Sequence, residues 1–281
     1  MNYYFLSNTH KMTDIIWHQL PSDISRLICK FVGTDRIKPW VKALGPINYY
    51  YLSENPAAIH ILEEKISNAK AIQTLPDEYW GQLSKNPAAL NLLKENQDKI
   101  FWWYLSLNPS ALTLLEAYPN KINYSFLSMN PAAIHILEAN IDKIFWINLS
   151  ANPSALNLIQ SNLDKIDWCN LSSNPNAMDL LLANQDKIDW NNLSVNPSAL
   201  NLLETNIDKI NWNNLSVNPS ALNLLESNLD KIDWSQLSKN HAGIDLLEAN
   251  KDKVNRCLIW TNPAIFEPEA DHFALLMQVK F

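Results

Sequence analysis

The chain has 281 residues, of which 47% are hydrophobic and 18% are charged, and its formal net charge is −7. This apolar content is enough for a continuous core, yet no apolar run approaches the ~20 residues that a membrane span needs. The acidic balance disfavours nucleic acid, and three scattered cysteines without C-x-x-C spacing favour a reducing compartment over a disulfide frame or a zinc site. We therefore expect an intracellular, cytoplasmic protein without a secretory signal and without a membrane partner.

Residues 1–47 lack the repeat that fills most of the chain, and we predict an extension and a cap helix there. A Leu-Pro pair at positions 20 and 21 precedes apolar residues at 24, 27 and 28, a spacing typical of an amphipathic helix. The segment resembles the opening of an F-box, which implies docking to the Skp-type subunit of a cullin–RING ubiquitin ligase. An ordinary cap helix would share the pattern, so both interpretations stay open. The candidate partner-binding residues of this segment are Leu20, Pro21, Ile24, Leu27 and Ile28.

Residues 48–258 are tandem repeats of 22 residues. An Asn-Pro-type step recurs at this interval from Asn86 to Asn262, and a further one at Asn55 is displaced by a nine-residue insertion. The consensus is L-S-x-N-P-[SA]-A-[LI]-x-[LI]-L-E-x-N-x-D-K-I-x-W-x-x. A fixed period of this size is typical of stacked repeat architectures. The insertion falls near residues 64–79, where we predict a lengthened helix and an added loop.

The residue pattern of each unit predicts two short helices. In one unit, Asn196 can cap the first turn of a helix and Pro197 suits its first position, because proline lacks the N–H that would be unpaired there. Apolar residues between 199 and 203 then share one helical face, and Asn206 is predicted to end the helix in the left-handed conformation. A second helix starts at Trp212, often after an Asn or Asp that can cap it. The predicted fold is all-α, an α-solenoid of helix–turn–helix repeats.

A leucine-rich repeat has an overlapping period and is the main alternative fold. Aligning Asn206 with the buried Asn of that repeat would put Asn201 and Asp208 at positions that must be apolar, which favours the helical interpretation. A single unit of this size cannot stand alone, so the sequence predicts a one-dimensional array with atypical ends. Residues 259–281 depart from the consensus and are predicted to form a C-terminal cap.

The repeat also carries a resemblance. Tandem Asn-Pro-x-Ala-Leu/Ile units followed by Asn-x-Asp-Lys-Ile-x-Trp resemble the short repeat proteins that giant DNA viruses of amoebae encode in many copies. The resemblance covers about three quarters of the chain. It implies no activity, and it would place the protein in the cytoplasm of a host cell.

Catalytic and metal-binding signatures are missing from the sequence. No Ser-His-Asp or Cys-His grouping, glycine-rich phosphate loop or paired-carboxylate motif stands out. His60 and His135 share a repeat position but lie three units apart, too far to hold one metal ion. We therefore predict a non-enzymatic protein without a cofactor or metal.

The repeated tryptophans and Asp-Lys pairs have structural interpretations. The tryptophans are predicted to form a buried ladder between repeats, because a platform for stacking bases would also need a basic face. Each Asp-Lys pair is predicted to be a solvated turn, in which the Asp caps the following segment and the Lys lies near an acid of a neighbouring unit.

Recognition of a partner is expected where the consensus varies. The apolar residues that depart most from it are Phe101, Trp103, Leu107, Met129 and Phe145. Our leading hypothesis is a scaffold that binds a protein partner along the solenoid surface. The alternatives are an F-box-type substrate adaptor, with host ubiquitin-ligase subunits as partners, and a structural protein that assembles end to end.

Overall fold

The computed structural model describes residues 37–67 and 76–267 of the chain. Throughout these ranges the secondary structure is α-helix and 3-10 helix, and the one pairing of extended backbone is an isolated bridge between Ile37 and Phe266. The predicted all-α repeat solenoid is confirmed. No helix in the same two ranges is long and apolar enough to cross a membrane.

Each repeat forms a unit that begins just before its tryptophan. In the unit of residues 189–210, a short helix at Trp190–Ser194 is followed by a 3-10 turn at Pro197–Ala199. The chain continues directly into a second helix, Leu200–Glu204, and then into a 3-10 turn at Ile207–Lys209. We call the two helices the Trp helix and the Leu helix, and we number the units 1 to 10 by the asparagine of their Asn-Pro-type step, from Asn55 to Asn262.

Most of these elements recur from unit to unit in the described residues, with small changes. A helix at Pro39–Lys42 precedes the first unit. The Trp helices, or their equivalents, are Tyr49–Leu52, Asp77–Lys85, Trp102–Leu105, Tyr124–Leu127, Trp146–Ser150, Trp168–Leu171, Trp190–Ser194, Trp212–Leu215, Trp234–Leu237 and the 3-10 helix Leu258–Thr261. The Leu helices are Ile59–Ser67, Leu90–Glu95, Leu112–Ala117, Ile134–Glu138, Leu156–Gln160, Met178–Leu182, Leu200–Glu204, Leu222–Glu226 and Ile244–Ala249.

The 3-10 turns complete the units. After the Asn-Pro-type step they are Pro56–Ala58, Pro87–Ala89, Pro109–Ala111, Pro153–Ala155, Pro175–Ala177, Pro197–Ala199, Pro219–Ala221, His241–Gly243 and Pro263–Ile265. At the Asp-Lys pairs and their equivalents they are Gln97–Lys99, Pro119–Lys121, Ile141–Lys143, Gln185–Lys187, Ile207–Lys209, Leu229–Lys231 and Lys251–Lys253. The insertion lengthens the helices on both sides of it, Ile59–Ser67 and Asp77–Lys85, to nine residues each, and its remainder lies outside the described ranges.

One side chain caps the 3-10 turn that leads into the Leu helix, and another caps the Trp helix; both caps were predicted. The Asn196 side chain accepts a hydrogen bond from the backbone N–H of Ser198 at 2.9 Å, and the Asp189 side chain accepts one from Asn192 at 2.7 Å. The predicted left-handed ending at Asn206 is wrong, because its φ is −134°. Instead, the Asn206 Nδ2 donates to the carbonyl of Leu202 at 2.9 Å. This bond pairs one of the last carbonyls of the helix, so the helix ends without a residue of positive φ.

A ladder of buried asparagines joins the units. The Asn196 amide donates to two backbone carbonyls of the preceding unit, those of Ser172 and Asn174, both at 3.0 Å. Its Oδ1 caps its own unit, so the donors and the acceptor of this buried amide all have partners. The same pattern recurs at every step, which explains why Asn, rather than Ser or Asp, stands at this position.

A buried serine adds a second link between units. The hydroxyl of Ser194 donates to the Trp190 carbonyl at 2.7 Å and accepts from the backbone N–H of Asn211 in the next unit at 3.0 Å. Equivalent serines make the same bond at eight successive steps. Each hydroxyl therefore joins the end of one Trp helix to the start of the next.

The ladder closes on itself, so the ten units form a ring. The Asn55 amide in unit 1 donates to the carbonyls of Trp260 and Asn262 in unit 10, at 3.1 and 2.9 Å. This is the same pair of bonds that joins neighbouring units elsewhere. The described part of the predicted C-terminal cap, residues 259–267, thus lies between two units rather than at a free end. Residues 268–281 lie outside the described ranges.

At the closing joint a buried tryptophan replaces the bridging serine, while the asparagine bonds are kept. Trp260 occupies the position of the bridging serine and is buried. The Lys38 N–H donates to the Ile265 carbonyl at 2.8 Å, beside the Ile37–Phe266 bridge. Residues 37–47, which the sequence assigns to the N-terminal cap, therefore contribute to the seam of the ring.

The tryptophans pack against the core but are less buried than predicted. Trp80 is fully buried, whereas the Trp190-type residues are half-buried, and Lys209 of the same unit lies 4.4 Å from the Trp190 ring centroid. The lysine thus contacts a ring of its own unit rather than an acid of a neighbouring unit, which corrects the prediction for the Asp-Lys pairs. In unit 1, burial lowers the pKa of Lys65, whose ammonium lies 3.1 Å from the Tyr49 ring centroid.

Candidate functional site

Three positions around each Trp helix differ between the two halves of the ring. They are the residue before the tryptophan (or its equivalent) and the first and second residues after it. In units 1–5 these positions hold eight aromatic residues and one isoleucine, which we call the aromatic sector: Tyr50, Tyr51, Tyr79, Phe101, Trp103, Tyr104, Phe126, Phe145 and Ile147. In units 6–10 none of the corresponding residues is aromatic, and we call them the polar sector: Asp167, Cys169, Asn170, Asp189, Asn191, Asn192, Asn211, Asn213, Asn214, Asp233, Ser235, Gln236, Asn255, Cys257 and Leu258.

The first part of the aromatic sector spans units 1 and 2. The rings of Tyr50 and Tyr79 meet edge to face, with centroids 6.1 Å apart and planes at 89°. The amide of Gln82 donates to the Tyr50 hydroxyl at 2.7 Å. Contacts between rings and an amide therefore hold these side chains in defined orientations.

The second part continues into units 3 and 4. The Tyr104 ring lies 6.1 Å from that of Trp103 and 5.9 Å from that of Phe126, centroid to centroid. Tyr104 also covers Gly81 of unit 2, where a Cβ would lie 3.4 Å from the ring. The ring of Tyr104 therefore lies close to the backbone of the preceding unit. The rings thus form a surface across several units instead of separate side chains.

The aromatic sector leaves large apolar side chains in solvent. Trp103 and Phe145 are each 53% exposed, and Ile147 is 60% exposed. Scattered exposed apolar residues are normal on protein surfaces, but a contiguous group marks an interaction site. Trp103 belongs to unit 3, Phe145 and Ile147 belong to unit 5, and Phe126 of the intervening unit 4 is partly exposed. The exposed apolar residues of the sector thus span three successive units.

Part of the polar sector pairs its own side chains across units. Asn211 donates from Nδ2 to the Asn191 side chain at 2.9 Å, and Asn214 donates to the Asn191 carbonyl at 2.8 Å. These bonds link units 7 and 8 around their Trp helices, as the contact between the Tyr104 and Phe126 rings links units 3 and 4. Amides that already have partners have less to offer a ligand, so the polar sector is the weaker candidate.

The predicted site residues fall into three groups. Leu20, Pro21, Ile24, Leu27 and Ile28 lie outside the described ranges. Trp103 and Phe145 are exposed in the aromatic sector, where Phe101 is half-buried. Leu107 and Met129 lie at the other end of their Trp helices, where their N–H groups donate to the carbonyls of Tyr104 and Phe126, both at 3.1 Å.

Other residues of the aromatic sector were not predicted from the sequence: Tyr50, Tyr51, Tyr79, Tyr104, Phe126 and Ile147. The signal was present in the repeat itself. Aligning the two residues after each tryptophan or its equivalent shows aromatic residues in units 1, 3 and 4 and none in units 6–10. The residue before each Asn-Pro step, from which Leu107 and Met129 were predicted, lies at the opposite end of the Trp helix.

The described residues show little that could support catalysis. Within the two described ranges, no group of three or more His, Cys, Asp or Glu side chains is arranged to hold a metal ion. His135 and Glu116 approach to 3.0 Å as an exposed pair, and Cys169 and Cys257 are exposed thiols. None of these groups lies beside a second reactive side chain in the arrangement that nucleophilic catalysis needs.

Comparison with known proteins gives no functional assignment. No protein-family model, curated protein or solved structure matches this chain. Differences between equivalent positions in the units of the ring are therefore the guide to function.

Proposed function

We propose that this protein is a non-enzymatic, ring-shaped scaffold that binds a protein partner through its aromatic sector. The observation that carries the proposal is the difference between equivalent positions. Trp helices of four or five residues occur in both halves of the ring, yet one half presents mainly rings and the other mainly amides and carboxylates. Stacking of the units does not require the rings, since the polar half stacks without them.

The chemistry of the aromatic sector suits a protein interface. Tryptophan and tyrosine are enriched among the residues that dominate binding energy, because they bury a large area and lose little side-chain entropy. The ring-to-ring contacts at Tyr50 and Tyr104 hold the surface in shape before a partner arrives, which lowers the entropic cost of association.

Charge indicates the kind of partner surface. In units 1–5 none of the three positions holds a charged residue, whereas the polar sector includes Asp167, Asp189 and Asp233. A partner of the aromatic sector should therefore present an apolar patch with a polar rim, and its binding should depend weakly on salt. Nucleic acid and membrane surfaces, which basic residues attract, do not suit this sector.

The test exchanges residues between sectors. The variant Trp103→Asn/Phe126→Asn/Phe145→Asp gives the aromatic sector residues that the polar sector already carries at Asn213, Asn214 and Asp189. Proteins captured by the wild-type ring from cells that produce it are quantified by mass spectrometry beside those captured by the variant. We expect a partner whose recovery falls at least about tenfold with the variant.

A matched control varies the polar sector to the same extent. The control variant Asn191→Ser/Asn213→Ser/Gln236→Asn uses residues found at these positions in other units. It should retain the partner at the wild-type level. Equal recovery with the aromatic-sector variant, or loss with the control alone, would show that the aromatic sector is not the binding surface.

The two alternatives have different tests. The ubiquitin-ligase adaptor stays a hypothesis that rests on the F-box-like segment, and it predicts that Leu20→Ala/Ile24→Asp in the full chain abolishes association with a Skp-type subunit. No association of the wild-type chain with that subunit would exclude it. End-to-end assembly through the array is disfavoured, because the faces of units 1 and 10 are used in closing the ring.

A further inference from the structure

A second surface lies at the edge where the Asp-Lys turns are exposed. Each of units 4–8 leaves one aliphatic side chain there, between 44% and 47% exposed. These residues are Ile141, Leu163, Leu182, Ile207 and Leu229. Four of them precede the Asp of the Asp-Lys pair. In unit 6 that position is Gln185, whose amide donates to the Leu182 carbonyl at 3.3 Å, so Leu182 supplies an aliphatic group close by.

An exposed aspartate accompanies each aliphatic residue. They are Asp142, Asp164, Asp186, Asp208 and Asp230. Within the described chain none of these five carboxylates accepts a hydrogen bond or lies within ion-pair distance of a basic group, which corrects the prediction that the aspartates cap the following segment. We call the five aliphatic and five acidic residues together the acid–aliphatic edge.

The lysines next to these aspartates contact tryptophan rings instead of the carboxylates. Lys187, Lys209 and Lys231 lie 4.3–4.5 Å from the ring centroids of tryptophans in their own units. Residues 161–250 hold twelve acidic residues against five lysines and no arginine. The edge therefore combines regularly spaced apolar groups with a local excess of negative charge.

We propose that the acid–aliphatic edge binds a cationic amphipathic helix, which would be a ligand distinct from the partner of the aromatic sector. Such a helix would lay its apolar stripe along the aliphatic row and pair its lysines or arginines with the aspartates. Packed helical units lie roughly 10 Å apart, and a helix advances about 10.5 Å in seven residues. A heptad pattern of apolar and basic residues therefore matches the step from one unit to the next.

The probe is a synthetic three-heptad helix with leucine at positions a, d and e and lysine at all others, carrying a fluorophore. Its matched control peptide has glutamate in place of every lysine. Fluorescence anisotropy with the full-length protein measures the Kd of each. The lysine peptide should bind at least about tenfold more tightly than the glutamate peptide.

Three variants separate the edge from general attraction of charge. Ile207→Gln/Leu229→Gln introduces the residue that units 2 and 6 carry at this position and keeps the net charge. Asp208→Asn/Asp230→Asn removes two charges at the edge, and Asp179→Asn/Asp245→Asn removes two exposed charges from the Leu helices. The first two variants should each weaken binding at least about tenfold, and the third less than about twofold.

Several results would overturn the proposal. They are the absence of binding by the lysine peptide, equal binding of the glutamate peptide, an equal loss with both aspartate pairs, or no loss with Ile207→Gln/Leu229→Gln. Loss of the peptide through Trp103→Asn would assign it to the aromatic sector instead. All the substituted side chains are exposed, and circular dichroism of each variant confirms that the ring is folded.

Discussion

Units 3 and 8 share a scaffold but present different surfaces. In both, the ladder asparagine, Asn108 or Asn218, is fully buried and donates to two carbonyls of the preceding unit at 2.9–3.0 Å. Beside that common framework, unit 3 presents Trp103 and Tyr104 where unit 8 presents Asn213 and Asn214. The residues that stack the units are thus separate from those that face outward, so one surface can change without loss of the ring.

Substitution of the buried ladder asparagines should cause the largest loss of stability. The loss should be the same in units 3 and 7, which belong to the two halves of the ring. Asn108→Ala and Asn196→Ala each remove one buried cap and two bonds between units, leaving buried backbone groups unpaired. We expect each to lower the free energy of unfolding by about 3–5 kcal/mol. Urea denaturation followed by circular dichroism measures both. A much smaller loss in one sector would show that the scaffold differs between the two halves.

Substitution of the half-buried tryptophans should cause the next largest loss of stability. Trp102→Ala and Trp190→Ala remove half-buried rings that pack on the core. Because part of each ring is already in solvent, we expect a loss of about 2–3 kcal/mol, less than for a fully buried tryptophan. The same denaturation experiment applies, with Trp80→Ala as the fully buried reference. If Trp190→Ala cost as much as Trp80→Ala, the half-buried description would fail.

The lysine contacts should distinguish unit 7 from unit 3 by a smaller amount. In unit 7 Lys209 lies over Trp190, whereas in unit 3 the Trp102 ring is contacted by Tyr118, with centroids 5.1 Å apart. Lys209→Met should therefore destabilise the protein by about 0.5–1 kcal/mol. Lys121→Met, the equivalent change in unit 3, should have no measurable effect on thermal unfolding. Equal effects of the two substitutions would remove the cation–π contact as their cause.

The smallest effect on stability should come from the exposed rings themselves. Trp103→Asn and the reciprocal Asn213→Trp change the surface and leave the ladder intact. Each should alter the free energy of unfolding by no more than about 0.5 kcal/mol. Thermal denaturation of both variants checks this, and a loss near that of Trp102→Ala would mean that Trp103 is needed for folding rather than binding.

Local structure was largely predictable because its causes lie within a few residues. The cap at Asn196, the proline after it and the capped start at Trp212 all follow from spacing along the chain. The ending at Asn206 was mispredicted because its side chain can bond the Leu202 carbonyl, which removes the need for a left-handed residue.

Closure of the ring was not predictable from the sequence. It requires an average turn of about 36° from one unit to the next, and small differences in side-chain packing add up over ten units to set that angle. No local sequence motif specifies the total turn of the ten units. Trp260 in the position of the bridging serine is the nearest signal, and alone it is equally compatible with a terminal cap.

The candidate site was predicted in part. Trp103 and Phe145 stand out as large apolar residues in a polar consensus, so the sequence identifies them. Tyr50 and Tyr79 were missed, because the insertion separates their units along the chain while the structure brings the two rings within 6.1 Å.

Site-specific photo-crosslinking asks directly whether the aromatic sector is where a partner binds. A photoreactive phenylalanine analogue replaces Trp103 in one variant and Asn213 in another, the same structural position in the two sectors. After irradiation in cells that produce the protein, crosslinked partners are separated and identified by mass spectrometry. Binding through the aromatic sector predicts a specific protein adduct at position 103 and none at position 213; an equal adduct at both positions, or one at 213 alone, would contradict it.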